Sequence, residues 1–318
     1  MPKCFVALLT ILFLHVSLHA AEKIRVATPD VGGQFLTLPL AQRKGFLKEE
    51  GLDAEIITMR PDTTVAALRN GDVDYATGIG RVVQGVIQGL PLKVVACYAP
   101  SSTVTIVSRP EIKSVKELKG QTIGINNYGG AVELITRMIL KQVGLDPDKD
   151  VKFIALGGAG PRFVALKQGL IGAAVVSPPL DSEGKKVGFN VIARAYELFS
   201  FPQAGLGVHE KKLQEKPDEI KRVIKAGIRA NRYIRGNPSG TIEVMTTWLR
   251  LNKEIATATY ESISKAFNDD GSVPEDGLRL VLEANKTQMK IERGISLNNL
   301  VDLSILKEAQ KELGSRGR

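Results

Sequence analysis

A strand that runs into a glycine-rich turn and then into a helix occurs twice in this chain, and this repeat constrains the fold more than any other feature. Residues 121–133 read QTIGINNYGGAVE, a β-branched run followed by a polar turn, with helical apolar spacing from Val132 onward. Residues 23–33 read KIRVATPDVGG and have the same form up to the closing Gly-Gly. We therefore predict strand, turn and helix at both places.

The two copies also match further along the chain. A Gly-Leu-Asp triplet, a strand and a further helix–strand pair follow each copy, over residues 51–76 and 144–174. Strands that alternate with helices give parallel sheets through right-handed crossovers. We therefore predict an α/β chain with two lobes of one design. Chance similarity between two ordinary βαβ units is the alternative.

Helix and strand order indicates where the lobes join. The strand at residues 104–107 is expected to cross to the second lobe, because the duplicate begins at Gly120. Residues 203–209 are expected to return, with glycines that absorb the dihedral changes of a hinge. The predicted domains are residues 1–20 as a signal peptide, 21–104 with 206–318 as lobe 1, and 105–205 as lobe 2.

Helical spacing dominates the rest of the chain. It predicts a first helix over residues 37–47, and an apolar stripe of Ile220, Val223, Ile224 and Ile228 predicts another after the return crossing. Further helices are predicted over residues 241–251, 253–267, 275–290 and 298–313. We assign this tail to lobe 1, because that arrangement gives two crossings and a cleft between the lobes.

The first 20 residues have the order of a secretory signal. Lys3 precedes an apolar run over residues 5–18, and small residues follow at Ala20 and Ala21. We expect cleavage near Ala20 or Ala21 and a periplasmic location, with a retained signal anchor as the alternative. Cys4 stands before the apolar run rather than at the cleavage site, so the sequence does not indicate a lipid anchor.

The charge balance is basic. The 43 Lys and Arg residues exceed the 34 Asp and Glu residues, for a net charge of +9. Many basic residues of the final third lie on amphipathic helices, where charge usually marks a solvated face. The chain has no nucleic-acid-binding motif, so we expect no nucleic-acid partner. The balance is compatible with attraction of small anions but does not establish it.

Few residues of this chain are suited to catalysis. After removal of the signal, Cys97 and His209 are the single cysteine and histidine, so a His or Cys metal cluster is excluded by count. Neither a P-loop motif, a G-x-S-x-G motif nor a complete G-x-G-x-x-G after a strand is present. We expect no enzymatic activity, no cofactor and no metal.

Several segments together resemble the nitrate, sulfonate and taurine family of solute-binding proteins of ABC transporters. The resemblance rests on residues 23–26, LAQRKGFLKEEGL at 40–52, GDVD at 71–74, LKG at 118–120 and ALKQG at 165–169. It implies a type II periplasmic-binding-protein fold, with two Rossmann-like lobes joined by a two-crossing hinge. The expected partners are one small-molecule ligand and an inner-membrane ABC permease with its cytoplasmic ATPase. We expect the protein itself to be a monomer.

The resemblance places the ligand between the lobes, on loops at the carboxyl ends of strands, in agreement with the general rule for open α/β sheets. The candidate ligand-binding residues are Asp30, Gly32, Gly33, Gln34, Gly78, Gly80, Arg81, Tyr98, Ser101, Ser102, Asn127, Tyr128, Gly129, Gly130, Gly158, Ser177 and Pro178. Each Gly-Gly pair can alternatively be a tight turn without ligand contact. Members of this family bind different organic anions and heterocycles, so the resemblance does not identify the ligand.

Asp30 does not suit a simple anion site. Its carboxylate would repel an anion, so it could bind an amine or a ring N–H, or it could be a helix N-cap. Arg60, Arg81 and Arg162 follow strand ends and could supply a counter-charge, with Arg81 the best placed of them. A solvated surface position is the alternative for each arginine.

Two other classes of protein share a two-lobed fold. Porphobilinogen-condensing and phosphoribosyl-transferring enzymes do, as do pyrimidine-precursor proteins related to this family, and fold alone does not separate them from a transport protein. The effector-binding half of a LysR-type regulator is also similar. Such a regulator would need an N-terminal DNA-reading helix pair and no export signal, and neither condition is met here.

Overall fold

A computed structural model describes residues 21–29 and 31–314, so the predicted signal peptide lies outside the described residues, as does Asp30. The strands are β1 (Glu22–Thr28), β2 (Leu52–Thr58), β3 (Tyr75–Gly78), β4 (Leu92–Ala99), β5 (Thr105–Ser108), β6 (Thr122–Ile125), β7 (Lys152–Ala155), β8 (Ala173–Val176), β9 (Asn190–Arg194) and β10 (Ala204–His209). The helices are α1 (Thr37–Arg43), α2 (Phe46–Glu49), α3 (Pro61–Asn70), α4 (Ile79–Ile87), α5 (Ala131–Gln142), α6 (Ala159–Lys167), α7 (Leu180–Lys186), α8 (Glu210–Glu215), α9 (Pro217–Gly236), α10 (Pro238–Trp248), α11 (Lys253–Ile263), α12 (Glu275–Met289) and α13 (Ser304–Glu312).

The strands form two five-stranded sheets with the same arrangement. The order is β2-β1-β3-β10-β4 in the first sheet and β7-β6-β8-β5-β9 in the second. In each sheet the first three strands are parallel, and the fourth runs antiparallel to both of its neighbours. The duplicated strands β1 and β6 occupy equivalent positions, so the prediction of two α/β units of one design is confirmed.

The chain passes between the sheets at residues 100–104 and 195–203. These connections reach the predicted crossings at residues 104 and 203, and the rest of each predicted crossing is a strand, because residues 105–108 are paired in the second sheet and residues 204–209 in the first. The return segment is therefore a central strand, hydrogen-bonded to β3 and β4, and not a free linker.

Close approach, rather than hinge bending, accounts for the glycines of β10. A Cβ on Gly205 would lie 2.2 Å from the carbonyl oxygen of Ala96, and one on Gly207 would lie 2.3 Å from a methyl group of Val82. Such distances are far below van der Waals contact, so a larger residue would push β10 away from β4 and α4.

The tail packs on the first sheet, as predicted. Helix α9 contacts α1 and α13, and α12 contacts α4. The predicted apolar stripe of α9 is fully buried. Val301 also forms a bridge with Val94 of β4. A stripe of this kind needs a sheet or helix to cover it, and the first sheet supplies that cover.

One predicted helix is divided. The pattern over residues 37–47 forms α1 and α2, which are separated at Gly45 with a φ of 82°. This left-handed conformation is nearly free of cost for glycine and ends a helix, so the apolar pattern continues while the helix axis changes. Leu40 and Leu47 remain buried on the same side.

Candidate functional site

The carboxyl edges of the two sheets face each other. Both connections between the sheets join these edges: Thr105 pairs with Val176 at the end of β8, and Ala204 pairs with Gly78 at the end of β3. Helix α11, which packs against the turn after β1, also contacts α7, which follows β8. We refer to the region between these edges as the cleft.

The loops of the first sheet bring most of the predicted residues to this edge. A Cβ on Gly33 would meet the Ile263 side chain of α11 at 2.7 Å, so this turn lies directly against the helix. Gly32 precedes the turn, and Gln34 is partly buried within it. Gly78 lies against the Pro29 ring. These contacts gather the predicted loops after β1 and β3 at one end of the sheet.

Arg81 and the serines after β4 are also at this end. Arg81 lies in the first turn of α4 next to Gly80, and its guanidinium donates to the side-chain oxygen of Gln84 at 2.7 Å. Ser101 and Ser102 lie in the connection from β4 to β5 and are buried. The Ser102 hydroxyl accepts a hydrogen bond from the backbone N–H of Val104 at 3.3 Å. Ser102 thus stabilises the connection itself.

Tyr98 lies in the core of the first sheet and not on an open face of the cleft. Only 1% of its surface is exposed, and a Cβ on Gly227 of α9 would lie 2.3 Å from its ring. Burial raises the pKa of the Tyr98 hydroxyl strongly. The alternation of side chains along β4 turns Tyr98 toward α9, which the sequence could not indicate without knowing which helix covers that face.

The turn after β6 presents polar groups to solvent at the edge of the second sheet. Tyr128 is 62% exposed, and its hydroxyl donates to the Phe153 carbonyl oxygen at 3.0 Å. The Asn127 amide donates to the Tyr128 carbonyl oxygen at 3.2 Å. Gly129 has a φ of 73°, which only glycine adopts readily, whereas Gly130 has an ordinary extended conformation.

The beginning of α5 already holds a carboxylate. Glu133 is buried, and its carboxylate accepts a hydrogen bond from the Gly129 N–H at 2.6 Å. Arg137 pairs with the same side chain at 2.8 Å. The negative charge of Glu133 offsets the positive end of the α5 dipole, so this turn is a weaker anion site than the glycine pattern predicted.

The remaining predicted positions lie at the ends of β7 and β8. Gly158 precedes α6, and Ser177 accepts a backbone hydrogen bond from Leu180 next to Pro178. Arg162 of α6 is only 4% exposed, so it is not a solvated surface residue. Its guanidinium donates to the Gly157 carbonyl oxygen at 2.8 Å, and burial lowers its pKa.

A cluster that the sequence did not indicate joins the two sheets across the cleft. Asp181 of α7 is fully buried and accepts a hydrogen bond from the Ser262 hydroxyl of α11 at 2.8 Å. Arg194, at the end of β9, lies 3.6 Å from the same carboxylate oxygen. Ser182 and Ser262 are in contact at 3.3 Å, and Lys186 forms an ion pair with Glu254. The charges are spread over three distant segments, so no local motif reveals them.

A groove of about 680 Å³ lies elsewhere, along the outer edge of the first sheet. Its lining includes Lys23 and Arg25 of β1, Asp53 and Glu55 of β2, and Trp248 of α10. Gln42 of α1 covers part of this edge by donating to the Ala54 carbonyl oxygen. This groove does not include any of the predicted ligand-binding residues.

Comparison with known proteins identifies a family and relatives of this chain. Residues 33–241 match the NMT1/THI5-like family profile. The chain belongs to this NMT1/THI5-like family. A Brucella abortus protein named as a binding protein is 25% identical over 260 residues, which cover 79% of this chain and 80% of that protein.

Solved structures of this fold include both binding proteins and an enzyme. The aliphatic sulphonate-binding protein SsuA of Escherichia coli is similar with a TM-score of 0.72 at 16% identity, over 88% of this chain and 92% of that one. The desulfurization enzyme DSZB is similar with a TM-score of 0.68 at 13% identity, over 92% of this chain and 99% of that one. Identities this low establish the periplasmic-binding-protein fold, which the resemblance predicted, and not the ligand.

Within residues 21–29 and 31–314, the structure contains no helix long and apolar enough to cross a membrane. In the same part of the chain no group of three or more His, Cys, Asp or Glu side chains could hold a metal ion.

Proposed function

We propose that this protein is the solute-binding component of an ABC importer and holds one small organic ligand in the cleft. The observation that carries the proposal is the pair of equivalent sheets whose carboxyl edges meet at the contact between α7 and α11. Ligands of open α/β sheets bind outside the carboxyl ends of the strands, so this region has loops from both sheets around one ligand position. Membership of the NMT1/THI5-like family supports the same function.

Each sheet is the base of one lobe in this proposal. The lobes rotate about residues 100–104 and 195–203, the two connections through which the chain passes between the sheets. Closure brings α7 and α11 together, and opening admits the ligand. A monomer suffices for this cycle, because one chain provides both walls of the cleft.

The proposed ligand position is surrounded by loops of both lobes. On the first lobe these are Gly32, Gly33, Gln34, Gly78, Gly80, Arg81, Ser101 and Ser102. On the second lobe they are Asn127, Tyr128, Gly129, Gly130, Gly158, Ser177 and Pro178. The ligand is a sulfonate, a carboxylate, a nitrate-like anion or a heterocycle. Micromolar affinity corresponds to about 8 kcal/mol, so several of these groups must act together.

Binding rather than catalysis is supported by the positions of the reactive side chains. Cys97 is a fully buried thiol inside β4, and burial raises its pKa, so the nucleophilic thiolate is disfavoured. His209 ends β10 and accepts a hydrogen bond from the Lys211 N–H at 3.1 Å, which uses its Nδ1 atom for helix capping. Neither residue belongs to the cleft as defined above.

The location and partners follow from the same proposal. Residues 1–20 direct export, cleavage occurs near Ala20 or Ala21, and the mature protein acts in the periplasm. It delivers its ligand to an inner-membrane permease that is driven by a cytoplasmic ATPase. N-terminal sequencing of the fractionated protein tests the export step, with an intact cytoplasmic chain as the contradicting result.

Native mass spectrometry of the protein purified from its own periplasm tests the function. We expect a noncovalent adduct of small mass that is lost on partial unfolding, and reduced uptake of the identified compound in a deletion strain. Normal uptake of that compound in the deletion strain would contradict the transport function.

A further inference from the structure

A neighbouring acceptor and donor on α7 and β9 have no hydrogen-bond partner within the described residues. They are the Oδ1 atom of Asp181 and the Nε atom of Arg194, and both are buried. The other carboxylate oxygen, Oδ2, has the Ser262 hydroxyl at 2.8 Å and Arg194 Nη2 at 3.6 Å. Buried polar groups in folded proteins are almost always paired, so an unpaired acceptor beside an unpaired donor indicates a partner from outside the chain.

These atoms lie at the carboxyl edge of the second sheet. Arg194 ends β9 and pairs with Thr105, the first residue after a connection between the sheets. Asp181 lies in the first turn of α7, which follows β8. Tyr196 is also close: burial raises its hydroxyl pKa, and the Arg194 charge opposes that rise while the Asp181 charge adds to it. The Tyr196 hydroxyl thus lies within electrostatic reach of both charged side chains.

We infer that Asp181 and Arg194 form a donor–acceptor subsite that requires a ligand with an N–H group beside an acceptor oxygen. The N–H donates to Oδ1 of Asp181, and the oxygen accepts from Nε of Arg194. This inference rests on the proposed function and specifies the ligand class of the same cleft. A protonated amine next to an acid group has this arrangement, and so does a cyclic amide.

A plain anion does not satisfy this subsite. Its oxygens can accept from Arg194 but leave Asp181 Oδ1 unpaired, and its charge repels a buried carboxylate that water cannot screen. A ligand with an added N–H donor satisfies both atoms at once. Asp181 therefore selects against donor-free anions while Arg194 retains the acid or carbonyl group.

Ser262 connects this selection to closure. The serine belongs to α11 on the first sheet, and its hydroxyl reaches Asp181 only while α11 and α7 are in contact. Opening the cleft hydrates the carboxylate, whereas closing it leaves Oδ1 unpaired unless the ligand supplies a donor. A hydrogen bond from the ligand N–H thus removes the free-energy cost of burying an unpaired carboxylate oxygen, which otherwise opposes closure.

Matched probes that differ by one donor test the inference. Calorimetry would compare 3-aminopropanoate with propanoate, 2-aminoethanesulfonate with ethanesulfonate, and uracil with 1,3-dimethyluracil. We expect the donor-bearing member of at least one pair to bind at least about tenfold more tightly to the wild-type protein. The first two pairs report a protonated amine and the third a cyclic amide, so the preferred pair identifies the source of the donor.

Variants identify the residue responsible. Asp181→Asn should reduce the preference to less than about threefold, because the amide oxygen lacks the negative charge that strengthens the bond to a donor, and the amide NH2 group can itself donate to a donor-free anion. Glu183→Gln removes an exposed carboxylate of the same helix and should leave the preference unchanged. Ser262→Ala should keep the preference but weaken the compaction that small-angle scattering detects on binding. Circular dichroism would check that each variant is folded.

Three outcomes would overturn the inference: equal affinities within every pair, a preference that Asp181→Asn retains, and absence of binding by every donor-bearing probe. The proposed function has a separate test in the native adduct and the uptake measurement. An adduct that lacks an N–H donor would therefore refute the subsite and leave the transport function standing.

Discussion

The Tyr75 hydroxyl donates a hydrogen bond to the Glu219 carboxylate at 2.6 Å, which joins β3 to helix α9 of the tail. Lys212 pairs with the same carboxylate at 2.8 Å and with Asp74 at 3.0 Å. Burial and the neighbouring Glu219 charge raise the pKa of Tyr75 well above its usual value, so the phenol remains a donor. This network fixes the tail on the first sheet.

Glu219→Ala should therefore destabilise the protein by about 3 kcal/mol, because it leaves Lys212 and Tyr75 without their shared acceptor in a buried site. Urea unfolding followed by circular dichroism measures the change. Glu215→Ala is the matched control, since that exposed residue pairs only with the exposed Lys211 among the described ion pairs. Similar losses in both variants would refute a special role for the network.

Gly205→Ala tests the close approach of β10 to β4. The added methyl group would come within 2.2 Å of the Ala96 carbonyl oxygen, and the backbone there cannot rotate away as a side chain can. We expect a loss of about 3 kcal/mol or failure to fold. Gly80→Ala is the control, because nothing lies within 4 Å of its added Cβ. A Gly205→Ala protein with wild-type thermal stability would contradict this account.

Gly130→Val tests the proposed second-lobe wall of the ligand site. Gly130 has a φ of −86° and a ψ of 167°, which valine also adopts, so the fold should survive. The new side chain meets the Asn127 amide at 2.9 Å and must displace it. We expect affinity for the ligand identified by native mass spectrometry to fall at least about tenfold, or 1.4 kcal/mol.

Calorimetric titration of folded wild type and Gly130→Val measures this effect. Gly160→Ala is a suitable control, since its position in α6 has no neighbour within 4 Å. Equal affinities for wild type and Gly130→Val would remove this turn from the site and leave its glycines as structural elements only.

A disulfide should lock the proposed closed form. The hydroxyl oxygens of Ser182 and Ser262 are 3.3 Å apart, so we expect cysteines at both positions to form a disulfide on oxidation. After oxidation, the scattering profile of Ser182→Cys/Ser262→Cys should match that of ligand-bound wild type with or without ligand, and reduction should restore the response. The single-cysteine variants are the controls. Ligand-dependent compaction in the oxidised protein would contradict hinge closure at α7 and α11.

Stability should depend on pH through Glu22. Hydrogen bonds from Lys216 and Arg222 lower the pKa of Glu22 to about 2. A carboxylate with a lowered folded-state pKa stabilises the protein above its unfolded pKa, near 4.5, and loses this contribution as pH falls toward 2. Glu22→Gln should therefore flatten the unfolding free energy between pH about 4.5 and 2, as should Lys216→Gln in part. An unchanged acid slope in both variants would exclude this cause.

The sheets could be predicted because their signals are local. The strand and turn of residues 23–33 and 121–133 depend on alternating β-branched residues and glycines that lie next to each other in the sequence. The buried stripe of α9 is equally local, since its period is set by the helix itself. The hinge role predicted for the glycines of residues 203–209 was wrong, because Gly205 and Gly207 are glycines for tertiary contact, which a one-dimensional pattern does not distinguish from flexibility.

The cleft was harder to predict than the fold. Tyr98 has an aromatic ring and a hydroxyl group suited to ligand binding, and it lies near the end of a strand. The direction of its side chain nevertheless depends on α9, whose Gly227 lies more than a hundred residues away. Asp181, Arg194 and Ser262 come together only when two sheets and a tail helix have assembled. In the sequence, Asp181 looks like an ordinary acidic residue in the first turn of a helix. Residues that only the tertiary structure brings together show no characteristic spacing in the sequence.

The order in which the strands of the two sheets are synthesised has a consequence for folding during biosynthesis. The second sheet uses β5 to β9, a continuous stretch that is complete once Arg194 has emerged. The first sheet begins earlier but lacks β10 until His209 is available, so β3 and β4 each keep an unpaired edge in the meantime. Such edges invite pairing with other chains. The first sheet, whose first strands are synthesised before any strand of the second sheet, is thus completed last. The open edges of β3 and β4 need protection until β10 has been synthesised.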